Sequence, residues 1–206
     1  MTAQKKPYYT PEQYLEMERA SVDRSEYFNG EIYAMSGGSW NHMKITFNLS
    51  RNLGNGLEGG PCQIGFNDFK IRIRNGKAYA YPDIFGLCTP PEFAPQSDDI
   101  LLNPEMIMEV LSPSTEKFDR GLKFAYYQQI PTLKEYLLVS QVEARIEQYV
   151  RQSDDTWILH IHRSMEEVVT LASMGYAFRL SVAYEGVTFP PPHDDPFDRV
   201  LDPIMP

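Results

Sequence analysis

The pattern of apolar and polar positions divides the amino-terminal part of the chain into a helix, a hairpin and a second helix. Thr10 is an N-cap residue followed by a proline, which predicts a helix ending near Ala20. Asn29-Gly30, the strongest two-residue hairpin signal, predicts two strands on either side of it. Ile45 and the three leucines that follow it at four-residue steps predict a helix with one apolar stripe, which Pro61 and the glycines before it end.

Two predicted strands in the middle of the chain each contain one acidic residue. An alternating strand and an Asn-Gly turn precede the apolar segment 80–85, which contains Asp83. After a proline- and acid-rich loop over 89–104, the apolar segment 106–111 contains Glu109. Because an unpaired carboxylate inside a core strand is costly, we expect the two acids to share a cation or a hydrogen-bonded site.

Helical and strand-like patterns continue through the rest of the chain. Thr115 is placed to cap a helix over 116–129, before Pro131. Further strands are predicted over 135–139, 145–150, 157–162 and 168–171, with a short segment over 180–187. This order predicts an α/β (α+β) fold, a mixed β-sheet core flanked by helices. We expect one domain over residues 1–189 and a proline-rich tail over 190–206.

Composition narrows the class of protein. With 206 residues, 42% of them apolar, the chain is long enough for one globular domain. The formal charge of -9 argues against a protein that coats nucleic acid indiscriminately. The chain lacks an apolar run near the ~18 residues of a membrane span and an apolar leader, so we expect a cytoplasmic protein without membrane contact. Cys62 and Cys88 are predicted to be buried free thiols.

The two acids predict a metal site. Adjacent strands that each present one carboxylate could chelate a hard cation, with the backbone carbonyl of Val110 as a third ligand beside Asp83 and Glu109. Such an oxygen-only site suits Mg²⁺ or Mn²⁺ better than zinc. A lysine beside the cation could hold a phosphate or help water to lose a proton, as phosphodiester hydrolysis requires. Lys123, on the helix after the second strand, is the candidate.

An ordered set of motifs surrounds these residues. It consists of Pro82-Asp83, Glu109-Val110-Leu111-Ser112-Pro113-Ser114-Thr115, the helical positions Asp119, Lys123 and Tyr127, and Glu135-Tyr136. With the sequence from about Tyr27 to about Val187, this set resembles the Uma-two family of putative restriction endonucleases, in the PD-(D/E)XK nuclease superfamily. The resemblance implies a restriction-endonuclease-like fold, DNA as substrate, and Mg²⁺ or Mn²⁺ as cofactor.

The same resemblance implies roles for individual residues. Asp83 and Glu109 would be metal ligands, and Lys123 would be the catalytic lysine. Leu111 stands where the superfamily motif has its lysine, so the resemblance moves that lysine from the strand to the helix. We also expect a two-fold homodimer, because cutting both strands of a duplex needs two sites of opposite polarity.

Two further candidates lie early in the chain, and both have a simpler interpretation. Glu31 on the hairpin and His42 at the start of the following helix are where nucleases of this type often supply an extra acid or a base. Residues on the surface of a hairpin or helix are usually only solvated. Lys123 likewise could form a solvated helical ion pair with Asp119 at the i,i+4 spacing.

Three functional hypotheses follow from the sequence. The first is a metal-dependent DNA endonuclease in which Asp83 and Glu109 hold the cation and Lys123 stabilises the phosphate. The second is a non-catalytic nucleic-acid-binding or regulatory protein that kept the nuclease fold. In the third, the acids merely pair with Lys and Arg. Metal binding that depends on Asp83 would separate the first two from the third, and nicking of DNA would separate the first from the second.

Overall fold

A computed structural model describes residues 7–35 and 37–191 of the chain. Its amino-terminal elements are α1 (Pro11–Ala20), β1 (Ser25–Phe28), β2 (Glu31–Ala34), α2 (Trp40–Gly56), β3 (Gln63–Phe66), β4 (Lys70–Ile73), β5 (Ala78–Ala80) and β6 (Ile84–Leu87). The elements that follow are β7 (Ile100–Leu101), β8 (Met106–Leu111), α3 (Glu116–Phe118), α4 (Phe124–Tyr127), β9 (Glu135–Ser140), β10 (Ile146–Arg151), β11 (Trp157–His162), β12 (Val168–Leu171), β13 (Tyr176–Arg179) and α5 (Leu180–Ala183).

Several predicted elements are confirmed. The Thr10 side chain accepts a hydrogen bond from the Gln13 amide, and the Gln13 side chain accepts one from the Thr10 amide, which completes a capping box at the start of α1. Strands β1 and β2 pair around Asn29-Gly30, and Asn29 has the positive φ of 47° that this turn requires. Strands β9, β10 and β11 form the predicted antiparallel meander.

The strands form mixed sheets flanked by helices, as predicted, but there are three sheets within the described part of the chain. The larger two have the orders β2-β1-β5-β4-β7 and β11-β10-β9-β8-β6-β3, and β12 pairs with β13 alone. Strands β8 and β9 are parallel, whereas β6 runs antiparallel to β8. The chain leaves the first sheet after β5 and enters the second at β6.

The two faces of β8 are covered by different helices. Met108 and Val110 pack in the same cluster as Ile45, Leu49 and Leu53 of α2. Alternate positions of β8, Ile107 and Leu111, pack with residues of α4 on the other face. Glu109 therefore points to the face that α4 covers.

A π-helical turn over Asp119–Lys123 joins α3 to α4, so the predicted helix exists but is not a regular α-helix. Thr115 occupies the predicted N-cap position of α3, but it has helical backbone angles and its side chain makes no capping hydrogen bond. π-helical turns occur frequently at functional sites because they shift the side chains on either side of them out of α-helical register.

Other sequence predictions need correction. Asp83 lies between β5 and β6 and not inside a strand, because the chain changes sheets there. The predicted loop 89–104 contains β7, which pairs in parallel with β4. Apart from Pro190 and Pro191, the predicted tail lies outside the described residues. Within the described residues, none of the helices combines the length and apolarity needed to cross a membrane.

The prediction of free thiols is also wrong, because Cys62 and Cys88 form a disulfide. Strands β3 and β6 pair antiparallel with Gln63 opposite Leu87, so the next pair of residues outward is Cys62 and Cys88. The sequence offered no clear sign of β3 and hence no reason to place the two cysteines opposite each other.

Candidate active site

A cavity of about 1050 Å³ opens where β6, β8 and the amino-terminal half of α2 approach the hairpin and the segment before α4. Its acidic and basic lining side chains, tyrosines apart, are Arg24, Glu26, His42, Asp83, Glu109, Asp119 and Lys123. Four of these are carboxylates, which gives the cavity an acidic floor.

Asp83 and Glu109 come together because of the register between β6 and β8. Ile84 lies opposite Met108, so Asp83, one residue before β6, lies level with Glu109 on the adjacent strand. The Oδ2 atom of Asp83 accepts a hydrogen bond of 2.7 Å from the Val110 amide. This bond takes the place of a ladder bond just before β6 begins, and it fixes the Asp83 carboxylate against β8.

Lys123 reaches Glu109 from the π-helical turn. Its ammonium lies 2.9 Å from Oε1 of Glu109, and its side chain is only 6% exposed. Tyr127, one turn further along the helix, donates a hydrogen bond of 3.0 Å to the same oxygen. Two donors therefore converge on Oε1 of Glu109, a residue that lines the cavity.

Two more acids surround the Lys123 ammonium. Oε1 of Glu26 lies 3.0 Å from Lys123 Nζ, and Oδ1 of Asp119 lies 3.7 Å from it. The side chains of Asp119 and Lys123 are 5% and 6% exposed, so the alternative of a solvated surface pair between them was wrong. Glu26 also accepts a hydrogen bond of 2.9 Å from the Tyr81 amide, which holds it beside the site.

Burial and mutual repulsion shift the titration of this cluster. Burial is the main cause that raises the pKa of Glu109 well above its usual value; the charge of Lys123 acts against it and that of Asp83 adds to it. Burial alone would lower the pKa of Lys123, but Glu109, Glu26 and Asp119 outweigh that effect and hold it well above the usual lysine value. One ammonium among four acids leaves an excess of negative charge that a further cation would neutralise.

His42 contacts Asp83 from the first turn of α2. Its Nε2 atom lies 3.1 Å from Oδ2 of Asp83. Burial disfavours the imidazolium, but the hydrogen bond to Asp83 and the negative charge of that residue outweigh this cost, so the pKa of His42 is raised. This contact places His42 where it can orient the Asp83 carboxylate, and α2 is aimed there because Ser39 caps its first turn by accepting a hydrogen bond from the His42 amide.

Glu31 does not join these residues. Its carboxylate accepts a hydrogen bond of 3.0 Å from the Tyr33 hydroxyl, and it is not among the described residues that line the cavity. The acid that the hairpin does supply is Glu26, on β1. Glu26 was not predicted from the sequence, because an acid beside Tyr27 and Phe28 in a short hairpin strand gives a weaker signal than an acid in a continuous apolar strand.

The donor atoms around the cavity fit a hard divalent cation. Within the described part of the chain, Oδ1 of Asp83 and Oε2 of Glu109 make no hydrogen bond, so each carboxylate has one oxygen available. The amide and carbonyl of one strand residue project from the same edge, so the Val110 carbonyl lies on the side of Asp83. Two carboxylate oxygens and one carbonyl form an oxygen-only donor set of the kind Mg²⁺ or Mn²⁺ prefers.

This set has only two acidic side chains. Among residues 7–35 and 37–191, no group of three or more His, Cys, Asp or Glu side chains is arranged to hold a metal ion. Glu26 and Asp119 do not add to the donor set, because their carboxylates contact the Lys123 ammonium. A cation at Asp83 and Glu109 would therefore need the backbone carbonyl or water as its remaining ligands.

Comparisons with known proteins identify a family that matches most of the chain. The model of the Uma2 family, described as putative restriction endonuclease, matches residues 11–183. The uncharacterized protein slr1290 of Synechocystis sp. (strain ATCC 27184 / PCC 6803 / Kazusa) is 40% identical over 183 residues, which cover 89% of this chain and 95% of that protein. The uncharacterized protein sll1609 of the same organism is 38% identical over 150 residues, covering 73% and 85% of the two chains.

A solved structure shares the fold. The crystal structure of a putative nuclease belonging to DUF820 from Anabaena variabilis ATCC 29413 superimposes with a TM-score of 0.72 and 15% sequence identity. The match covers 87% of this chain and 99% of that chain. At this identity the likeness establishes the restriction-endonuclease-like fold, and together with the family match it supports a nuclease.

Proposed function

Because the chain belongs to the Uma2 family of putative restriction endonucleases, we propose that it is a Mg²⁺- or Mn²⁺-dependent DNA endonuclease that hydrolyses phosphodiester bonds. The observation that carries the proposal is the position of the Lys123 ammonium, 2.9 Å from Glu109 and inside the cavity that Asp83 also lines. The sequence has Leu111 where the superfamily motif has its lysine. Lys123, beside Glu109, would take the place of that lysine.

Lys123 would act as a fixed positive charge. Its raised pKa keeps the ammonium protonated at neutral pH, so it would stabilise negative charge that develops on the phosphate and would not act as a general base. Glu26 and Asp119 hold its position, and their interaction with the ammonium offsets the cost of burying it.

Asp83, Glu109 and the Val110 carbonyl would hold the cation. A divalent cation there would supply Lewis-acid stabilisation of the phosphate and would lower the pKa of water. The hydrogen bonds from the Val110 amide and His42 to one oxygen of Asp83 keep its other oxygen directed away from them. Tyr127 does the same for Glu109.

We further propose a two-fold homodimer for cutting duplex DNA. The described part of each chain holds one cluster of this kind, which would supply one cut, and two sites related by a two-fold axis match the opposite polarity of the two strands. Light scattering over a range of protein concentrations tests this assembly. A monomer at the highest concentration contradicts the dimer but not the nuclease activity.

Nicking of supercoiled plasmid DNA tests the activity. We expect nicking with Mg²⁺ or Mn²⁺ that EDTA abolishes, and loss of about 100-fold or more in rate for Lys123→Met. Lys134→Met is the matched control, because Lys134 also pairs with a buried glutamate, Glu105 at 2.6 Å, but does not line the cavity. Nicking that is unchanged in both Lys123→Met and Glu109→Gln would contradict the proposal.

The same preparation separates the nuclease from the non-catalytic alternative. A protein that only binds DNA would shift a labelled oligonucleotide in EDTA and would show no nicking with either cation. Leu111 at the motif position is the observation in favour of that alternative. The Lys123 contact with Glu109 weighs against it, because it restores the positive charge that Leu111 lacks.

A further inference from the structure

One wall of the cavity, beside the four lining carboxylates (the acidic cluster), is apolar and exposed to solvent. The side chains of Met43, Phe47 and Phe66 line the cavity, and these residues are 45%, 57% and 51% exposed. Trp40, 71% exposed, lies one turn before Met43 on α2. Because Trp40, Met43 and Phe47 are spaced i, i+3 and i+7, they form one stripe on α2, opposite the stripe of Ile45, Leu49 and Leu53 that enters the core.

The cavity adjoins a second one beyond the acidic cluster, and we call the two together the groove. A second cavity of about 650 Å³ contains Trp40 and shares Gly37, Gly38, Ser112 and Ser114 with the first. Phe47 and Phe66 therefore lie on the first cavity, Trp40 lies on the second, and Gly37-Gly38 forms the boundary. The two cavities therefore adjoin, with aromatic rings lining both of them and with Asp83, Glu109 and Lys123 lining the first.

We propose that this groove binds an unpaired DNA strand, whose bases stack on Trp40, Phe47 and Phe66 on either side of the phosphate to be cut. The proposal rests on the nuclease function proposed above and adds the form of the substrate. Aromatic side chains bind single strands of any sequence because every base has a flat π face. In a duplex those faces are stacked on neighbouring base pairs and are not accessible to side chains.

The groove offers few of the positive charges that binding of a duplex requires. Duplex binding is driven by lysines and arginines that neutralise many phosphates. The lysine and arginine side chains that line the two cavities, among the described residues, are Arg24 and Lys123. Arg24 pairs with Asp68 and Lys123 with Glu109, so little positive charge is left for a phosphate backbone. Stacking would have to provide most of the affinity.

Tryptophan fluorescence gives a direct test. The sequence contains two tryptophans, and Trp157 lies away from both cavities with its ring 5.4 Å from that of Phe124. In a Trp157→Phe variant, Trp40 is the remaining reporter. We expect a single-stranded oligodeoxynucleotide to quench Trp40 in EDTA, where no cleavage occurs, and to bind about tenfold or more tightly than the same sequence as a duplex.

A second substitution examines stacking away from the reporter. Phe47→Ala in the Trp157→Phe background should weaken binding of the single strand by about tenfold. Phe93→Ala is the matched control, because Phe93 is 40% exposed and lines neither cavity, and it should leave affinity unchanged. Because Arg24 and Lys123 are already paired with acids, log Kd should change with log salt by a slope below about 1.4, the value for two freely available cations.

The outcomes separate this inference from the nuclease proposal. Equal or tighter binding of the duplex, or unchanged affinity in Phe47→Ala, would overturn it even if Mn²⁺-dependent cleavage is observed. Trp40 fluorescence that responds to protein concentration and not to single-stranded DNA would show that a second copy covers the stripe, and would also overturn it. Quenching by the single strand without cleavage of any DNA would leave the inference standing and contradict the nuclease.

Discussion

The ammonium of Lys123 lies 2.9 Å from Oε1 of Glu109, with both side chains buried beneath the cavity. Lys123 comes from a π-helical turn and Glu109 from the middle of β8, so the pair links a helix to the sheet that it covers. Leu111 lies on the same face of β8 as Glu109, two residues further on. The helix thus provides the positive charge that a lysine at position 111 would provide from the strand.

Asp83→Asn should abolish metal binding without unfolding the protein. The asparagine oxygen can still accept the hydrogen bond from the Val110 amide, whereas the charge that attracts the cation is lost. We expect Mn²⁺ affinity to fall by more than about 100-fold, beyond the loss typical of residues that only support a ligand. Calorimetric titration measures this change, and Asp99→Asn is the control, because Asp99 pairs with Lys70 outside the cavity. Parent-like Mn²⁺ binding by Asp83→Asn would remove Asp83 from the metal site.

The metal-free protein should become more stable as the pH falls from about 8 to about 5. Glu109 has a raised pKa in the folded state, so above the usual value of 4.5 the folded protein takes up a proton more readily than the unfolded chain. The raised pKa of His42 acts in the same direction, because its contribution is present below 6.5 and is lost as the pH rises through the folded-state value.

Urea unfolding in EDTA at several pH values between about 8 and about 5 measures how the unfolding free energy depends on pH. Glu109→Gln should flatten the rise in unfolding free energy toward low pH, since the group that takes up the proton is gone. Metal affinity should show the opposite dependence and weaken as the pH falls, because the cation competes with the proton for Glu109. An unchanged slope in Glu109→Gln would show that Glu109 is not the group that titrates.

Reduction of the Cys62–Cys88 disulfide should destabilise the fold. The bond closes a loop with a sequence separation of 26, for which chain entropy gives about 3.5 kcal/mol. For a domain of this size, that corresponds to a fall in Tm of about 7–14 °C. Calorimetry with and without dithiothreitol measures it, and the variant Cys62→Ser, Cys88→Ser should not respond to the reductant. Two thiols that react in urea before any reduction would show that the bond does not form.

Local signals in the sequence were sufficient for many elements. The capping box at Thr10, the Asn29-Gly30 turn and the apolar stripe of α2 each depend on residues a few positions apart, and all three are confirmed. Glu109 was found because an acid in a continuous apolar strand conflicts with its surroundings unless it has a partner.

Features that depend on distant contacts were missed. β3, with the sequence Gln-Ile-Gly-Phe, is too short and mixed to show a strand pattern, so the pairing of Cys62 with Cys88 was not predictable. The chain crosses from one sheet to the other at Asp83, and this crossing depends on contacts between distant strands. Glu26 sits among aromatic residues of a short hairpin strand, where solvation is the usual outcome for an acid.

Replacing Lys123 with methionine should destabilise the protein as well as reduce nicking. The substitution keeps the chain length and removes the ammonium, so Glu26, Glu109 and Asp119 are left buried without their counter-charge. Breaking a buried pair in this way costs about 3–5 kcal/mol. The loss should be larger at pH 8 than at pH 5, because the acids can take up protons at the lower pH, and urea unfolding at the two values measures it.

Leu111→Lys in the Lys123→Met background should recover part of both losses. Position 111 is 5% exposed and lies on the face of β8 that carries Glu109, so a lysine stem there can remain packed while its ammonium reaches toward the same acid. Leu133→Lys is the control, because Leu133 is buried in the same cluster but lies two residues before β9, whose first residue, Glu135, pairs with Met106 and not with Glu109. Recovery of stability without recovery of nicking would limit Lys123 to balancing the buried acids. Recovery of nicking by Leu111→Lys but not by Leu133→Lys would show that the helix lysine does the work of a strand lysine.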